Sequence, residues 1–534
     1  MSQATTELSP AGNLSGQLEP QAPSASPTQP AHHAMPSTRI LAALLGIFIS
    51  SMMAGLNNRV GSLGLVDVQG ALSLSADDGS WLNTVYVSGE LLITPFATWF
   101  AITFSMRRFH LLMVICCTLI AIALPLANNL PLLIALRFIQ GIFSGALIPL
   151  LMMMALKTLP LHIRLHGLAL YAMTATFSPN IALWLTGQWS DGFNDWRLLY
   201  WQVIPLCLLA IGLVNWGLPK EGIKTARFKE GNWPGMFFGI IGMCLITIGL
   251  TQGVRLEWLN SSLISSSLLL GCVLFGLYLA TEWFHPTPFI NLRLLGRRNL
   301  GVGSIIFTGL LIVLMSGTTL PILFLGAIQD YRIAQSAPLG LIIALPQLIL
   351  GSLVALLLYK KWVDARYVLA VGLACIAIAC FLAAQLNGDW HRDQFITAQI
   401  FQAIGQPMAV VPMLFLMTSI VAPHEGPYFS GIINTLRVFG TLAGGAIVGQ
   451  LFVERGHFHS EMLLNQASLN NSALDSLAPS ALAGIIAQQS TVLSIADLYL
   501  IFGAAACVLI PLVLIMTHVP APNLQPDVST SSKG

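Results

Sequence analysis

Four ionisable residues stand deep inside long apolar stretches of this sequence: Arg59, Glu90, Arg137 and Arg437. A charge so far from a polar flank is costly in a low dielectric, so it faces a partner, a water-filled path or a ligand. Glu90 is the clearest carboxylate of the set. It sits roughly 13 Å along its apolar run at 1.5 Å per helical residue, where it has the chemistry of a proton carrier or ligand site. Arg59 lies at a similar depth in the neighbouring run, so an ion pair with Glu90 is an equally natural reading. The two roles coexist if a working cycle breaks the pair. Gln140 follows Arg137 by one turn on the same face, so its amide can orient the guanidinium or a ligand. Asn57 and Asn58 place two adjacent amides within an apolar run. Buried amides need partners, and these two either bond neighbouring helices or line a cavity. Asn434 and Arg437 share a face at i and i+3, open equally to ligand contact and to helix bonding. Asp497 and Glu282 stand at the ends of runs, where carboxylates reach water, and read as structural.

These residues need elements that hold them in an apolar medium, and the composition supplies one kind. The chain has 534 residues, 55% hydrophobic and only 9% charged, with net charge +2. A soluble domain carries roughly 25% charged residues. The shortage excludes a cytosolic enzyme, a nucleic-acid binder and a disordered scaffold, so no nucleic-acid partner is expected. A polytopic helical protein in a lipid membrane remains. All eight cysteines fall inside apolar runs, without zinc or disulfide spacing. Fourteen runs reach the roughly 20 residues that a membrane helix needs. Sixteen Lys and Arg fall on the side of the termini, five on the other side and three within runs. That bias places both termini in the cytoplasm.

The organisation follows. Residues 1–38 form a flexible cytoplasmic tail without signal-peptide character, and 39–218 a first six-helix bundle. Residues 219–232 are a cytoplasmic linker and 233–285 two central extra helices. A second six-helix bundle covers 286–518 with an outer loop at 454–495, and 519–534 is a cytoplasmic tail. The fourth and twelfth runs look alike: Arg137–Met153 and Gln399–Phe415 align Gln140 with Gln402 and, after a one-residue slip, Pro149 with Pro412. Two similar six-helix halves about an axis along the membrane normal are a common transporter plan.

The residues Arg137-Phe138-Ile139-Gln140-Gly141 and Leu147-Ile148-Pro149-Leu150 resemble the major facilitator superfamily, and more closely its fourteen-span drug:proton antiporters of the EmrB/QacA type. Pro288-Phe289-Ile290-Asn291-Leu292-Arg293, Asn434-Thr435-Leu436-Arg437 and Ile485-Ile486-Ala487-Gln488-Gln489 extend the likeness along nearly the whole chain. The sequence also departs from the family. Asn57 stands where these antiporters usually carry an Asp, and Thr98 where the loop between the second and third spans carries a Gly. Of the basic residues in that loop Arg107 and Arg108 remain, and of the fifth-span motif Pro179 and Gly187.

The resemblance implies an all-α membrane protein of the major facilitator fold, with 14 transmembrane helices as two six-helix bundles plus a central pair. It assigns Arg137 to proton coupling, puts Asn57 and Asn58 at a substrate cavity and Arg107 and Arg108 in a gating loop. Taken by themselves, the residues add Glu90 and Arg59 to the proton-coupling set and Gln140, Gln402, Asn434 and Arg437 to the cavity. The implied function is secondary-active, proton-coupled export of small organic or amphipathic compounds by alternating access, with a small molecule and protons as partners. In a double-membrane bacterium it adds a periplasmic membrane-fusion adaptor and an outer-membrane channel. The alternative is a facilitator or differently coupled transporter of an anionic metabolite or siderophore. A membrane scaffold would not need the polar residues within spans. No GxxxxGK[ST] loop, metal-ligand cluster or grouped nucleophile is present, so neither cofactor, metal nor enzymatic activity is expected.

Overall fold

The computed structural model describes residues 38–127, 129–470 and 478–522. Both expected tails lie mostly outside this range. Among the described residues every regular element is helical. That follows from the medium: with no water in the hydrocarbon, a spanning backbone must satisfy its own hydrogen bonds.

Helix α1 spans Thr38–Leu63, and α2 is the bent pair Ala76–Ile93 and Ala97–Phe104. Helices α3 (Met106–Ala123), α4 (Leu130–Thr158), α5 (Leu161–Gly187) and α6 (Leu198–Gly217) complete the first half. Helices α7 (Trp233–Gln252) and α8 (Ser262–Phe284) form the central pair. The second half holds α9 (Arg298–Ile328), α10 (Ile333–Leu358), α11 (Ala365–Ala383), α12 (Ile396–Thr418), α13 (Gly426–Asn470) and α14 (Pro479–Ile515). Among the described residues thirteen helices are long and apolar enough to cross a membrane, and the pair in α2, bent by 57°, makes fourteen. The bend falls at Thr94-Pro95-Phe96, where Pro95 has no N–H to continue the ladder.

Close packing brings the polar residues together. A Cβ at Gly141 of α4 would lie 2.1 Å from the Tyr86 carbonyl oxygen, and one at Gly145 2.6 Å from that of Glu90. Only glycine lets α2 and α4 approach so closely. Helices α5 and α10 join the two halves, and a Cβ at Gly340 would meet the Asn180 carbonyl at 2.4 Å.

The ends of the helices define two faces. One carries Arg107, Arg108, Lys157, Arg297, Lys360 and Lys361 and is called the basic face here. There the halves are closed on each other. The Thr98 hydroxyl donates to the Pro427 carbonyl at 3.1 Å, Ser430 to Pro149 at 2.6 Å, and the Leu165 N–H to the Tyr359 oxygen at 3.2 Å.

The expected outer loop at 454–495 is mostly helix. Helix α13 continues to Asn470 and α14 begins at Pro479, with residues 471–477 outside the described range. Polar residues after Val453 end the apolar run, but nothing between them breaks a helix except Gly456. Leaving the membrane therefore does not stop the helix.

Candidate functional site

A cavity of about 390 Å³ lies between the halves, away from the basic face. Asn58 and Arg59 reach it from the far end of α1, Glu90 from α2 and Arg437 from α13. Its apolar wall includes Leu250 at the far end of α7, Val254 in the turn that follows it, and Leu311 and Leu314 of α9.

Glu90 is 6% exposed and bridges the halves. One carboxylate oxygen accepts from Asn58 Nδ2 at 2.5 Å, within its own half. The other lies 3.2 Å from Arg437 Nη2, in the opposite half. The expected pairing with Arg59 is not made. The Arg59 guanidinium instead points to Met315 Sδ at 3.8 Å. Among the described residues no carboxylate lies within salt-bridge distance of it. Successive residues on a helix turn by about 100°. Asn58 therefore takes the direction toward Glu90, and Arg59 is carried past it toward α9.

Arg137 sits deeper in the first half and is 2% exposed. Its Nη1 donates to Gln140 Oε1 at 2.8 Å, and Gln140 Nε2 donates to Asn57 Oδ1 at 3.3 Å. The guanidinium carbon lies 4.4 Å from the Tyr86 ring centroid and 5.5 Å from that of Tyr200. Two aromatic faces and an amide thus take the place of a counter-ion. Tyr86 is one turn before Glu90 on α2, and its hydroxyl donates to Ser144 at 2.8 Å. Tyr86 connects the Arg137 cluster to the Glu90 bridge. Its spacing at i and i+4 from Glu90 was the signal in the sequence that could have found it.

Several residues expected in the cavity are helix-to-helix bonds instead. Asn57 faces α4, 1% exposed, because it lies one residue out of phase with Asn58. Gln402 donates to Ser316 at 2.9 Å, tying α12 to α9. Gln140 ties α4 to α1 in the same manner, so the two aligned glutamines hold corresponding helices of the two halves. Asn434 accepts from the Tyr171 hydroxyl at 2.9 Å and joins α13 to α5. Of the pair expected to gate, Arg107 donates to Asn215 at 2.5 Å and to the Leu218 carbonyl at 3.2 Å. Its partners all belong to the first half. Arg108 is exposed.

Among the described residues no group of three or more His, Cys, Asp or Glu is arranged to hold a metal. The arrangement offers an ionisable bridge between two halves, a spare cation and an apolar wall. It presents charged, amide and apolar surfaces to one cavity.

The sequence profile of the Major Facilitator Superfamily matches residues 44–328, over half of the chain. The multidrug export protein EmrB of Escherichia coli K12 is 22% identical, over 84% of this chain and 88% of its own. The colistin resistance protein EmrB of Acinetobacter baumannii is 22% identical over 77% and 80%. The fatty acid resistance protein FarB of Neisseria gonorrhoeae is 21% identical over 78% and 81%. Among solved structures, the proton:xylose symporter XylE superposes with a TM-score of 0.56 at 14% identity, over 92% of this chain and 98% of that one. A POT family transporter in complex with 5-aminolevulinic acid gives 0.54 at 14% identity, over 90% and 97%. At these identities the structures share the fold alone. The chain therefore belongs to the Major Facilitator Superfamily, whose members are secondary membrane transporters that expose one central cavity alternately to either side of the membrane.

Proposed function

We propose that this transporter exports small amphipathic organic compounds from the cytoplasm across the inner membrane, coupled to protons through Glu90. The observation that carries this reading is the Glu90 bridge, which ties Asn58 of one half to Arg437 of the other at the cavity. A neutral Glu90 no longer attracts Arg437, so proton loading loosens the connection and biases the equilibrium between the two access states. Arg137 stabilises the polar cluster behind the bridge, and Asn58 and Arg59 complete the binding surface. The basic face is read as cytoplasmic, with both termini and the linker 219–232 on that side. The closed basic face then makes this the outward-facing state. The names of the EmrB and FarB relatives support export of antimicrobial or fatty compounds. Assembly with a periplasmic adaptor and an outer-membrane channel belongs to the same proposal.

A second reading rests on Arg59. A cavity-lining guanidinium with no carboxylate, among the described residues, within salt-bridge distance favours an anionic ligand, which would pair with it there.

Everted vesicles test the first reading. Uptake of ethidium or decanoate should require a proton gradient and collapse with a protonophore. Glu90→Gln should slow the gradient-driven part by about 5- to 150-fold, the usual span of a coupling free energy. Transport indifferent to both treatments would falsify coupling through Glu90.

A further inference from the structure

The central pair α7–α8 lies between the two halves in sequence, where a passive linker would be expected. Its position in the fold is different. The far end of α7 and the turn after it form part of the cavity through Leu250, Thr251 and Val254.

Helix α7 is joined to α2 near both of its ends. At the far end Gln252 is 1% exposed, and its amide donates to Thr84 Oγ1 at 2.6 Å and Ser80 Oγ at 3.2 Å. Thr84 bonds Thr251 at 3.0 Å, and Arg255 reaches Asp77 of α2 at 2.5 Å. Near the basic face Trp99 of α2 meets Trp233 edge-on at 5.6 Å, and Phe96 meets Tyr278 of α8 at 5.8 Å. Separating these surfaces would leave the buried Gln252 amide nitrogen without its partners, at about 1–3 kcal/mol.

The contact with α13, in the second half, has another character. A Cβ at Gly449 would lie 3.1 Å from Val254 Cγ2, and Phe275 of α8 meets Phe439 at 5.5 Å. Among the described residues one polar bond crosses at the rim, from Trp258 Nε1 in the connection between α7 and α8 to Gln450 Oε1 at 2.6 Å. Apolar surface against glycine can slide without leaving polar groups unpaired.

We propose that α7 is a substrate-selecting wall of the cavity that moves with α2 as part of the first half. The halves then rock across the α7–α13 seam, and the Trp258–Gln450 bond is the latch broken in each cycle. Thr251 and Val254 set the width of the cavity opposite Gly449. The apolar part of an amphiphile lies on α7 and its polar end on the Glu90, Arg59 and Arg437 side. The proposal rests on the alternating-access reading, but its test needs no substrate.

The protein is reconstituted in liposomes and Ser430→Cys reports opening of the basic face. Maleimide labelling at Ser430→Cys is read against the same protein with Ser430 intact, which corrects for the native cysteines. A bifunctional thiol reagent joins either Ser80→Cys to Gln252→Cys, or Trp258→Cys to Gln450→Cys. The α7–α13 link should slow labelling by about tenfold or more. The α2–α7 link should leave it within about twofold of the unlinked protein. Equal effects of the two links, or arrest by the α2–α7 link alone, overturn the proposal. No labelling even without a link overturns alternating access itself, and the proposal with it. In a second arm Val254→Trp should slow labelling of Ser62→Cys by a bulky impermeant maleimide more than by a small one. Equal slowing, or none, removes Val254 from the wall.

Discussion

On the proposed coupling through Glu90, the charge on a ligand sets how its binding responds to the proton. Its carboxylate faces Arg437 and Asn58, with Arg59 and Tyr86 on the adjoining surfaces. A cationic ligand competes with the proton for Glu90, so acidification should weaken its binding. An anionic ligand gains when Glu90 is neutral, because Arg437 is then released to it, so acidification should strengthen its binding. Binding of ethidium and decanoate in nanodiscs across pH should therefore show opposite slopes, and Glu90→Gln should flatten both. Equal slopes for the two probes would place the proton elsewhere. Arg59→Gln should weaken decanoate selectively. The pair also bears on stability. Removing one partner of a buried pair leaves the other uncompensated, at up to about 3–5 kcal/mol. Arg437→Gln should therefore lower the melting temperature, and Arg437→Gln with Glu90→Gln should recover much of the loss. The sequence made each of these charges visible as an exception in an apolar run. It did not show their partners, because Arg59 and Arg437 meet the requirement for a cation near Glu90 equally well in one dimension.

At the scale of elements, glycines and breaks control how near the charges come. The α2–α4 contact leaves no room for a side chain at Gly141, whose Cβ would lie 2.1 Å from the Tyr86 carbonyl oxygen. Gly141→Val should force the helices apart and draw Tyr86 off Arg137. Overpacking of this kind costs at least about 1–3 kcal/mol, read as a lower melting temperature in detergent. Gly70→Ala is the matched control, since an added Cβ there meets nothing within 4 Å. The fourteen spans were legible because hydropathy and length are properties of the local sequence. The helical extensions of α13 and α14 were missed for the converse reason: loss of hydropathy marks the edge of the membrane, not the end of a helix. The division of Asn57 from Asn58 was lost at the same scale, since two adjacent residues on a helix face different neighbours and hydropathy cannot say which faces what.

Across the whole molecule, the basic face is held by interactions well outside the membrane-buried cluster. Asp364 is an example. It pairs with Arg366 at 2.7 Å and with His518 at 3.1 Å, and Arg366 also donates to the Met516 carbonyl at 3.2 Å. The start of α11 is thereby tied to the chain leaving α14. Burial pushes the Asp364 carboxyl up, but hydrogen bonds and charge from Arg366, aided by His518, hold it below its ordinary value. A depressed carboxylate stabilises the fold above its unfolded-state value of about 3.9. That contribution is lost as pH falls through the lower folded value. Melting temperature in detergent should decline below roughly pH 4, and Asp364→Asn should flatten part of that decline while lowering the plateau slightly. An unchanged acid limb in Asp364→Asn would assign the decline to other carboxylates.

Composition by itself determined the solvent, since 9% charged residues cannot cover a soluble surface of this size. Span length and the bias of Lys and Arg determined the number of crossings and the expected orientation, because both act on each segment separately. The aligned glutamines Gln140 and Gln402 hinted at the two halves. Which charge meets Glu90, which amide reaches the cavity, and that α7 belongs to its wall were decided only by the tertiary structure. Those outcomes depend on helices far apart in sequence, from the 32-residue separation of Asn58 and Glu90 to the 347 residues between Glu90 and Arg437. Hydrophobicity is non-directional and drives segments into the membrane without choosing their neighbours. Close approach at glycines and the need to pair buried polar groups make that choice.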